Sequence, residues 1–520
     1  MIRRRVEVVL LMSVTLAVSV ILIATQPRDV FWGPDSGNRF IQMQSFLRTG
    51  GVAIDHRWPI GPHFVDRGGK TYSGWPPEFP IAAAPFYAIL GTAGFFVLPI
   101  AGTLLLIALL PALTEGSIAP IGIVLIFGTP VLWYTIVFWE HTLAAAILVA
   151  AFVLAERERP LIAGLLAGAG TLLREEGYIA IVSIAIAILF ARRATRQAAF
   201  FVFGATLLLI PLWLINWRVF GHPLGLHAAV YKSVAEGGRL RNFFPFLFEF
   251  ATIPWARISL VIPAIALVIT SPFALPARLR IALFVFTSIG FAGLTYLLVH
   301  SANPIRDTLY QQGLFPGIPF SAALFLAIPE LWREQRFRLI VVVAGILLTT
   351  LALNQNDFGV TWGPRYYFWL FPLIIILAAN ALGRRVQSRT VTFAAIVLLM
   401  SAFAIQTAGI VTLRNKLRFS ESLLQAVRQD AAKDVLTDVF WIPEDLASLF
   451  YEKNFGFVRN DAELAQALHI VGGRPFLFIA ARQFRLVSNQ GFAPLLPRVV
   501  QRRRIAGSEP MLDVMLLDAR

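Results

Sequence analysis

The sequence predicts an all-α polytopic membrane protein of about thirteen transmembrane helices, followed by a small α/β domain. Three observations predict it. Of 520 residues, 57% are hydrophobic and only 14% are charged, where a soluble domain carries about 25% charged residues. Apolar runs long enough to enter a bilayer recur up to residue 412. From Arg414 onward the charge rises and no run reaches span length.

The chain opens with Met1-Ile2-Arg3-Arg4-Arg5 and an apolar run from Val6 to Thr25. That run is too long for a signal-peptide core and lacks a small-x-small cleavage site, so it reads as an uncleaved span. Further apolar runs fall at 88–113, 118–137, 141–155, 160–173, 177–191, 197–217, 258–276, 281–299, 314–331, 339–353, 366–382 and 391–412. Phe79–Tyr87 reads as an interfacial or re-entrant piece ahead of the second span. With the N-terminus in the cytoplasm, alternation places sixteen arginines on the cytoplasmic side, from Arg3 to Arg389. The short outer loops then hold only Arg174, Arg306 and Arg365. Positive charge marks the cytoplasmic side, so this parity is the expected one. The long outer loops, 26–80 and 218–257, carry further basic residues that weaken the count.

Segments 160–173 and 177–191 are short. A 14-residue helix covers roughly 21 Å, against a hydrocarbon core of about 30 Å. Their shared tip, Leu173-Arg174-Glu175-Glu176-Gly177, is expected to lie below the outer surface and to face a wet cavity. The expected domains are 1–412, a transmembrane domain with a catalytic first outer loop at 26–80, and 413–520 on the outside. The second reads as helix Ser420–Lys433, strand Asp434–Phe440, helix Pro443–Tyr451, helix Asp461–Ile470, strand Pro475–Ala481 and strand Met511–Leu517. No cysteine is present, which excludes disulfides and thiolate chemistry. The net charge of +15 sits largely in short loops and forms no basic–aromatic nucleic-acid module.

Acid–base residues concentrate on the outer face, at helix ends. Asp35 lies in Trp32-Gly33-Pro34-Asp35-Ser36-Gly37, directly after the first span. It can cap a helix starting near Ser36, and the same carboxylate can take a proton from a hydroxyl nucleophile. Glu140, in Trp139-Glu140-His141, is either an interfacial acid or an oxygen ligand for a divalent cation such as Mg²⁺ or Mn²⁺. His141 points about 100° away and is the poorer co-ligand. Arg174 either pairs locally with Glu175 or Glu176 or clamps a phosphate, which its planar fork suits. Arg365, in Trp362-Gly363-Pro364-Arg365-Tyr366-Tyr367, is an interfacial anchor or a second phosphate ligand. Glu78, Tyr72, Glu176 and His222 are further candidates for substrate binding, against plain structural roles.

These residues resemble a family. Gly33-Pro34-Asp35, then Tyr72…Trp75-Pro76-Pro77-Glu78-Phe79-Pro80…Ala84-Pro85-Phe86-Tyr87, is similar to the GT-C membrane glycosyltransferases, in the protein mannosyltransferase and aminoarabinose transferase-like branch. Leu172-Leu173-Arg174-Glu175-Glu176-Gly177 resembles its Arg-x-Glu-Gly segment. Trp362-Gly363-Pro364-Arg365-Tyr366 resembles its Gly-x-Arg-Tyr segment. Val435-Leu436-Thr437-Asp438 with Trp441-Ile442-Pro443 resembles the start of the outward domain in bacterial members.

The resemblance implies a polyprenyl-phosphate sugar donor and inverting transfer outside a bacterial cytoplasmic membrane, to a glycan, lipid or protein acceptor. It implies Asp35 as catalytic acid or base and Glu140 as the second acid, which helps bind metal in some relatives. Ser36 and Gly37 stand where the family often has an acid beside the first-loop Asp. Two other classes fit a polytopic chain: a transporter or flippase of lipid-linked saccharide, and a non-catalytic envelope assembly protein. Transporters tend to show repeated halves and midplane sites, and the sequence shows no repeat.

Overall fold

The computed structural model describes residues 2–56, 61, 63–225, 313–352, 362–384, 389–481, 487–488, 490, 499–504 and 514–519. The spans expected at 258–276 and 281–299 lie outside the described residues. The chain divides into two compact units: Met1–Ala24 with Leu98–Val411, and Thr25–Val97 with Thr412–Arg520.

The first unit is helical. It holds α1 (Ile2–Ala24), α4 (Val97–Leu113, from Leu98), α5 (Ile118–Phe127), α6 (Val131–Thr135), α7 (His141–Glu156), α8 (Pro160–Leu173), α9 (Gly177–Arg192) and α10 (Thr195–Phe220). Later come helices Arg336–Ala352 and Phe371–Gly383, and Arg389–Gln429 up to Val411. Glu7 of α1 accepts from Ile118 N (2.7 Å) and Ser117 Oγ (3.0 Å), satisfying orphan donors at the start of α5. The α8–α10 pair is close-packed through glycine: a Cβ on Gly164 would meet Phe201 O at 2.0 Å, and one on Gly204 would meet Leu161 O at 2.3 Å. Small residues let apolar helices approach where lipid gives no hydrophobic drive between them.

Across the described residues of the chain, five helices are long and apolar enough to cross a membrane, and four shorter apolar ones accompany them. The protein is a multi-pass membrane protein. Four expected spans are not single α-helices: the 88–113 run takes in the end of α3 (Glu78–Leu90), a 3₁₀ stretch (Gly91–Phe96) and α4, and the 366–382 run opens in 3₁₀ (Arg365–Leu370) before the helix Phe371–Gly383. The 118–137 run breaks at Gly128-Thr129-Pro130 between α5 and α6. The 314–331 run forms a helical turn (Leu314–Gly317), a 3₁₀ stretch (Pro319–Ala327) and a helix (Ile328–Glu334). Neither Pro316 nor Pro319 has an amide donor for the helical ladder, and no continuous helix forms there. The short α8 and α9 are present as expected, with 14 and 16 residues.

The second unit joins the first loop to the C-terminal segment. Its loop part carries α2 (Pro34–Thr49), strands β1 (Ala53–Ile54), β2 (Phe64–Arg67) and β3 (Lys70–Ser73), and α3 (Glu78–Leu90). These strands form an antiparallel sheet in the order β1-β3-β2. The C-terminal part continues the helix Arg389–Gln429, so the helix expected from Ser420 has no separate start. It then forms β4 (Asp434–Thr437), helix Ile442–Asp445, β5 (Asn454–Phe457), helix Asp461–Val471, β6 (Phe476–Ala481), β7 (Val499–Arg504) and β8 (Val514–Ala519). The sheet order is β5-β4-β6-β8-β7, parallel around β4 and antiparallel beyond β6.

Helix Asp461–Val471 starts at Asn460, whose side chain accepts from Glu463 N at 3.0 Å. Its Leu464, Leu468 and Val471 are buried in one core with Leu436, Phe476 and Phe478. The loop part meets the C-terminal part where α2 runs against Ile442–Asp445. A Cβ on Gly37 would fall 1.7 Å from Glu444 O, so only glycine permits this approach.

Candidate functional site

In the second unit, α2 begins with Gly33 in extended conformation, Pro34 at its first position and Asp35 in its first turn. Gly33 O accepts from Ser36 N and Gly37 N. Asp35 therefore stands where backbone N–H groups point outward and favour negative charge. The lining of this helix start comes from three distant segments. One turn on, Asn38 Nδ2 donates to Glu444 Oε1 at 3.2 Å. Ser73 Oγ donates to Asn38 Oδ1, and Trp75 N donates to Ser73 Oγ at 3.0 Å. His63 Nδ1 lies 2.9 and 3.0 Å from the two oxygens of Glu444. The His63 ring stacks on Trp75, with centroids 5.3 Å apart.

Glu444 is fully buried. It sits just past the carboxyl end of β4, the strand flanked by β5 on one side and β6 on the other. Such a reversal of strand order is where open α/β sheets place binding groups. Burial pushes the Glu444 carboxyl above its ordinary value, opposed by His63 and Asn38 and reinforced by the charge of Asp35. Burial works to lower His63, but the Glu444 carboxylate, its hydrogen bond and Asp35 outweigh that, and His63 is raised. One cluster therefore holds Asp35, His63 and Glu444.

The sequence reading singled out neither His63 nor Glu444. The two lie 381 positions apart in the chain. Signals for them existed only as types, a histidine in the loop of Asp35 and a carboxylate in Pro443-Glu444-Asp445. Of the other candidates in this unit, Tyr72 is in β3, paired with Ala53 and Val65. Glu78 opens α3.

The first unit brings together Glu140, Arg174 and Glu176. Glu140 immediately precedes α7, and Arg174 joins α8 to α9. Arg174 Nη1 donates to Glu140 Oε1 at 2.8 Å. Its Nε donates to Glu176 Oε2 at 2.8 Å, and its Nη2 to Glu176 Oε1. The local partner is thus Glu176, and Glu140 joins it from a distance of 34 residues. Arg365 follows Gly363, whose φ of +70° needs glycine. Its guanidinium lies 4.8 Å from the ring centre of Tyr366 and 5.9 Å from that of Trp139, and Nη2 donates to Tyr366 Oη at 2.9 Å. Trp362 Nε1 donates to Gln406 Oε1, and Tyr134 Oη donates to Trp362 O, which fix the segment before Arg365. His222 stands in the turn after α10 and accepts from Leu224 N at 3.3 Å.

Among the described residues no group of three or more His, Asp or Glu is arranged to hold a metal ion. Glu140 meets a guanidinium, and a divalent cation there would face the positive charge of Arg174. The described donor set does not fit one.

No protein-family model matches the chain, and no curated protein sequence does. Solved structures do match its fold. ArnT from Cupriavidus metallidurans bound to undecaprenyl phosphate is 14% identical, with a TM-score of 0.50, over 98% of this chain and 97% of that one. The same protein in the apo state gives 12% identity and a TM-score of 0.51 over the same shares. An oligosaccharyltransferase from Archaeoglobus fulgidus in the apo form is 12% identical, with a TM-score of 0.49, over 90% of this chain and 69% of that one. The chain shares its fold with the ArnT structures.

Proposed function

We propose that the chain is a glycosyltransferase that moves a sugar from a polyprenyl-phosphate donor to an acceptor hydroxyl, with inversion. The observation that carries this reading is Asp35 at a helix start, clustered with His63 and Glu444. The ArnT likeness supports the donor class, since that neighbour was solved with undecaprenyl phosphate.

In this reading the acceptor oxygen attacks the anomeric carbon and its proton passes to the Asp35 carboxylate. The bond from that carbon to the phosphate oxygen breaks, and polyprenyl phosphate leaves with the electron pair. His63 and Glu444 hold the ground around Asp35. Arg365 meets the leaving phosphate. Arg174 spends its donors on Glu140 and Glu176, so it orders those acids rather than binding phosphate first. Positioned charges of this kind commonly lower a barrier by several kcal/mol. No step is routed through a metal.

Glu78, Tyr72 and His222 remain proposals for substrate contact. Thirteen spans, an outward C-terminal domain and a bacterial cytoplasmic membrane with the N-terminus inside belong to the same proposal.

The test is complementation of a deletion strain with wild type or Asp35→Asn, followed by mass spectrometry of envelope glycans and polyprenyl-phosphate sugars. The expected result is loss of one glycan and accumulation of its lipid-linked donor, with transfer down at least about 100-fold. A wild-type profile from Asp35→Asn, at equal protein level, would remove Asp35 as base and reopen the transporter reading.

A further inference from the structure

A second polar site stands in the first unit, and none of the residues given a role in transfer lines it. A cavity of about 670 Å³ is lined by four arginines (Arg4, Arg336, Arg338, Arg384) and three glutamates (Glu115, Glu156, Glu334). That volume suits a small ligand. All four arginines are among those that the charge count assigns to the cytoplasmic side.

Two of the arginines are already neutralised. Arg338 forms a fork with Glu156 at 2.7 and 2.9 Å and also donates to Leu113 O. Arg384 forms a second fork with Glu334. The other two face no carboxylate among the described residues. Arg4 Nη2 donates to the main-chain oxygens of Pro111 (3.1 Å) and Thr114. Its Nε–H is buried and meets no protein acceptor. Arg336 is exposed, with its guanidinium 4.8 Å from the ring centre of Trp332. Of the three lining glutamates, Glu115 alone is outside the two forks, and it is exposed.

A buried donor without an acceptor costs about 1–3 kcal/mol until something accepts from it. An anion with several oxygens answers that donor and both charges together, and the guanidinium fork matches phosphate geometry. A cation would meet two uncompensated arginines. An apolar ligand would leave the Nε–H of Arg4 as it is. We propose that this cavity binds a phosphate group, with Arg4 and Arg336 as its cationic ligands. The phosphate belongs either to an anionic phospholipid headgroup or to a soluble phosphate compound. The proposal does not rest on the transferase reading.

The experiment uses the full chain purified in a maltoside detergent, which carries no phosphate. One arm titrates inorganic phosphate by calorimetry, and the other adds phosphatidylglycerol and counts bound lipids by native mass spectrometry. At least one probe should bind wild type and Asp35→Asn equally. Arg336→Gln and Arg4→Gln should each weaken binding about tenfold. Binding of phosphatidylglycerol alone identifies the lipid source, and binding of inorganic phosphate identifies the soluble one. Arg336→Gln decides the matter if Arg4→Gln fails to fold, because Arg336 is exposed and holds no main-chain group. Absence of binding by both probes, or binding unchanged in Arg336→Gln, would overturn the proposal.

Discussion

Glu140 and Glu444 are both buried carboxylates, 1% and 0% exposed, and the two units answer that burial differently. Glu140 meets Arg174, a permanent cation that also holds Glu176 in a fork. Glu444 meets His63, a titrating ring, and the neutral amide of Asn38. Arginine stays charged at every working pH. Histidine changes charge near neutrality. The first group is therefore a fixed scaffold, and the second can change its charge near neutral pH. That difference fits positioning for Arg174 and proton handling around Asp35.

The sharpest way to break the comparison is to remove the fixed cation. Arg174→Ala leaves Glu140 buried without its counter-charge, and such a loss costs about 3–5 kcal/mol. The melting temperature in detergent should fall by several degrees. Arg174→Gln combined with Glu140→Gln should recover most of the loss, because the buried charge goes as well. An unchanged melting temperature in Arg174→Ala would show that water reaches Glu140 freely.

Gly37→Ala comes next. Its Cβ would sit 1.7 Å from the Glu444 carbonyl oxygen, a main-chain atom that cannot turn aside. Overpacking of this kind costs about 1–3 kcal/mol. Because α2 carries Asp35 at its start, activity should fall further than stability does. Equal losses in both would mean that the α2 contact holds the fold without placing Asp35.

The titrating group gives a smaller effect with a defined sign. His63 has its folded value raised above the ordinary 6.5. Its contribution to stability is therefore present in full below pH 6.5 and lost as pH rises through the folded value. Glu444 is also raised, above 4.5, and loses stability in the same direction. Wild type should thus melt lower as pH climbs above 6.5. His63→Gln should remove the histidine's share of that slope at a cost of about 1–2 kcal/mol and leave the share carried by Glu444, which takes up a proton in its place. A slope unchanged in His63→Gln would show that His63 does not carry the titration.

Much of the scaffold was legible because it rests on local rules. The apolar runs, the short α8 and α9, the helix start at Pro34-Asp35 and the strand at Asp434 all follow from composition or turn chemistry. The broken runs at 118–137 and 314–331 carried their own warning in Pro130, Pro316 and Pro319, but hydropathy alone reads straight through a proline. The three strands of the first loop were missed because Phe64–Arg67 and Lys70–Ser73 are short and mixed, with little alternation to see. β5 and β7 were missed for a similar reason: one is four residues long and the other ends in Arg502-Arg503-Arg504. The candidate site was legible by half. Asp35, Glu140 and Arg174 stood out by position in loops. The pairing of His63 with Glu444 spans 381 positions, and the approach of α2 to Glu444 at Gly37 spans as far, which no local pattern encodes.

The smallest effect on stability is expected at Arg365, and it separates binding from folding. Its guanidinium packs near the rings of Tyr366 and Trp139 at the distances of cation–π contacts. Such contacts contribute about 0.5–1 kcal/mol at partly exposed sites. Arg365→Ala should therefore melt close to wild type. If Arg365 meets the donor phosphate, kcat/KM for the lipid-linked donor should still fall about tenfold or more, because a charge-assisted hydrogen bond is lost. Arg365→Lys should recover part of the charge but not the planar fork, and so fall between the two. Normal donor kinetics in Arg365→Ala would leave this arginine as an aromatic anchor. The phosphate would then have to be met by Arg174, at the expense of its bonds to Glu140 and Glu176.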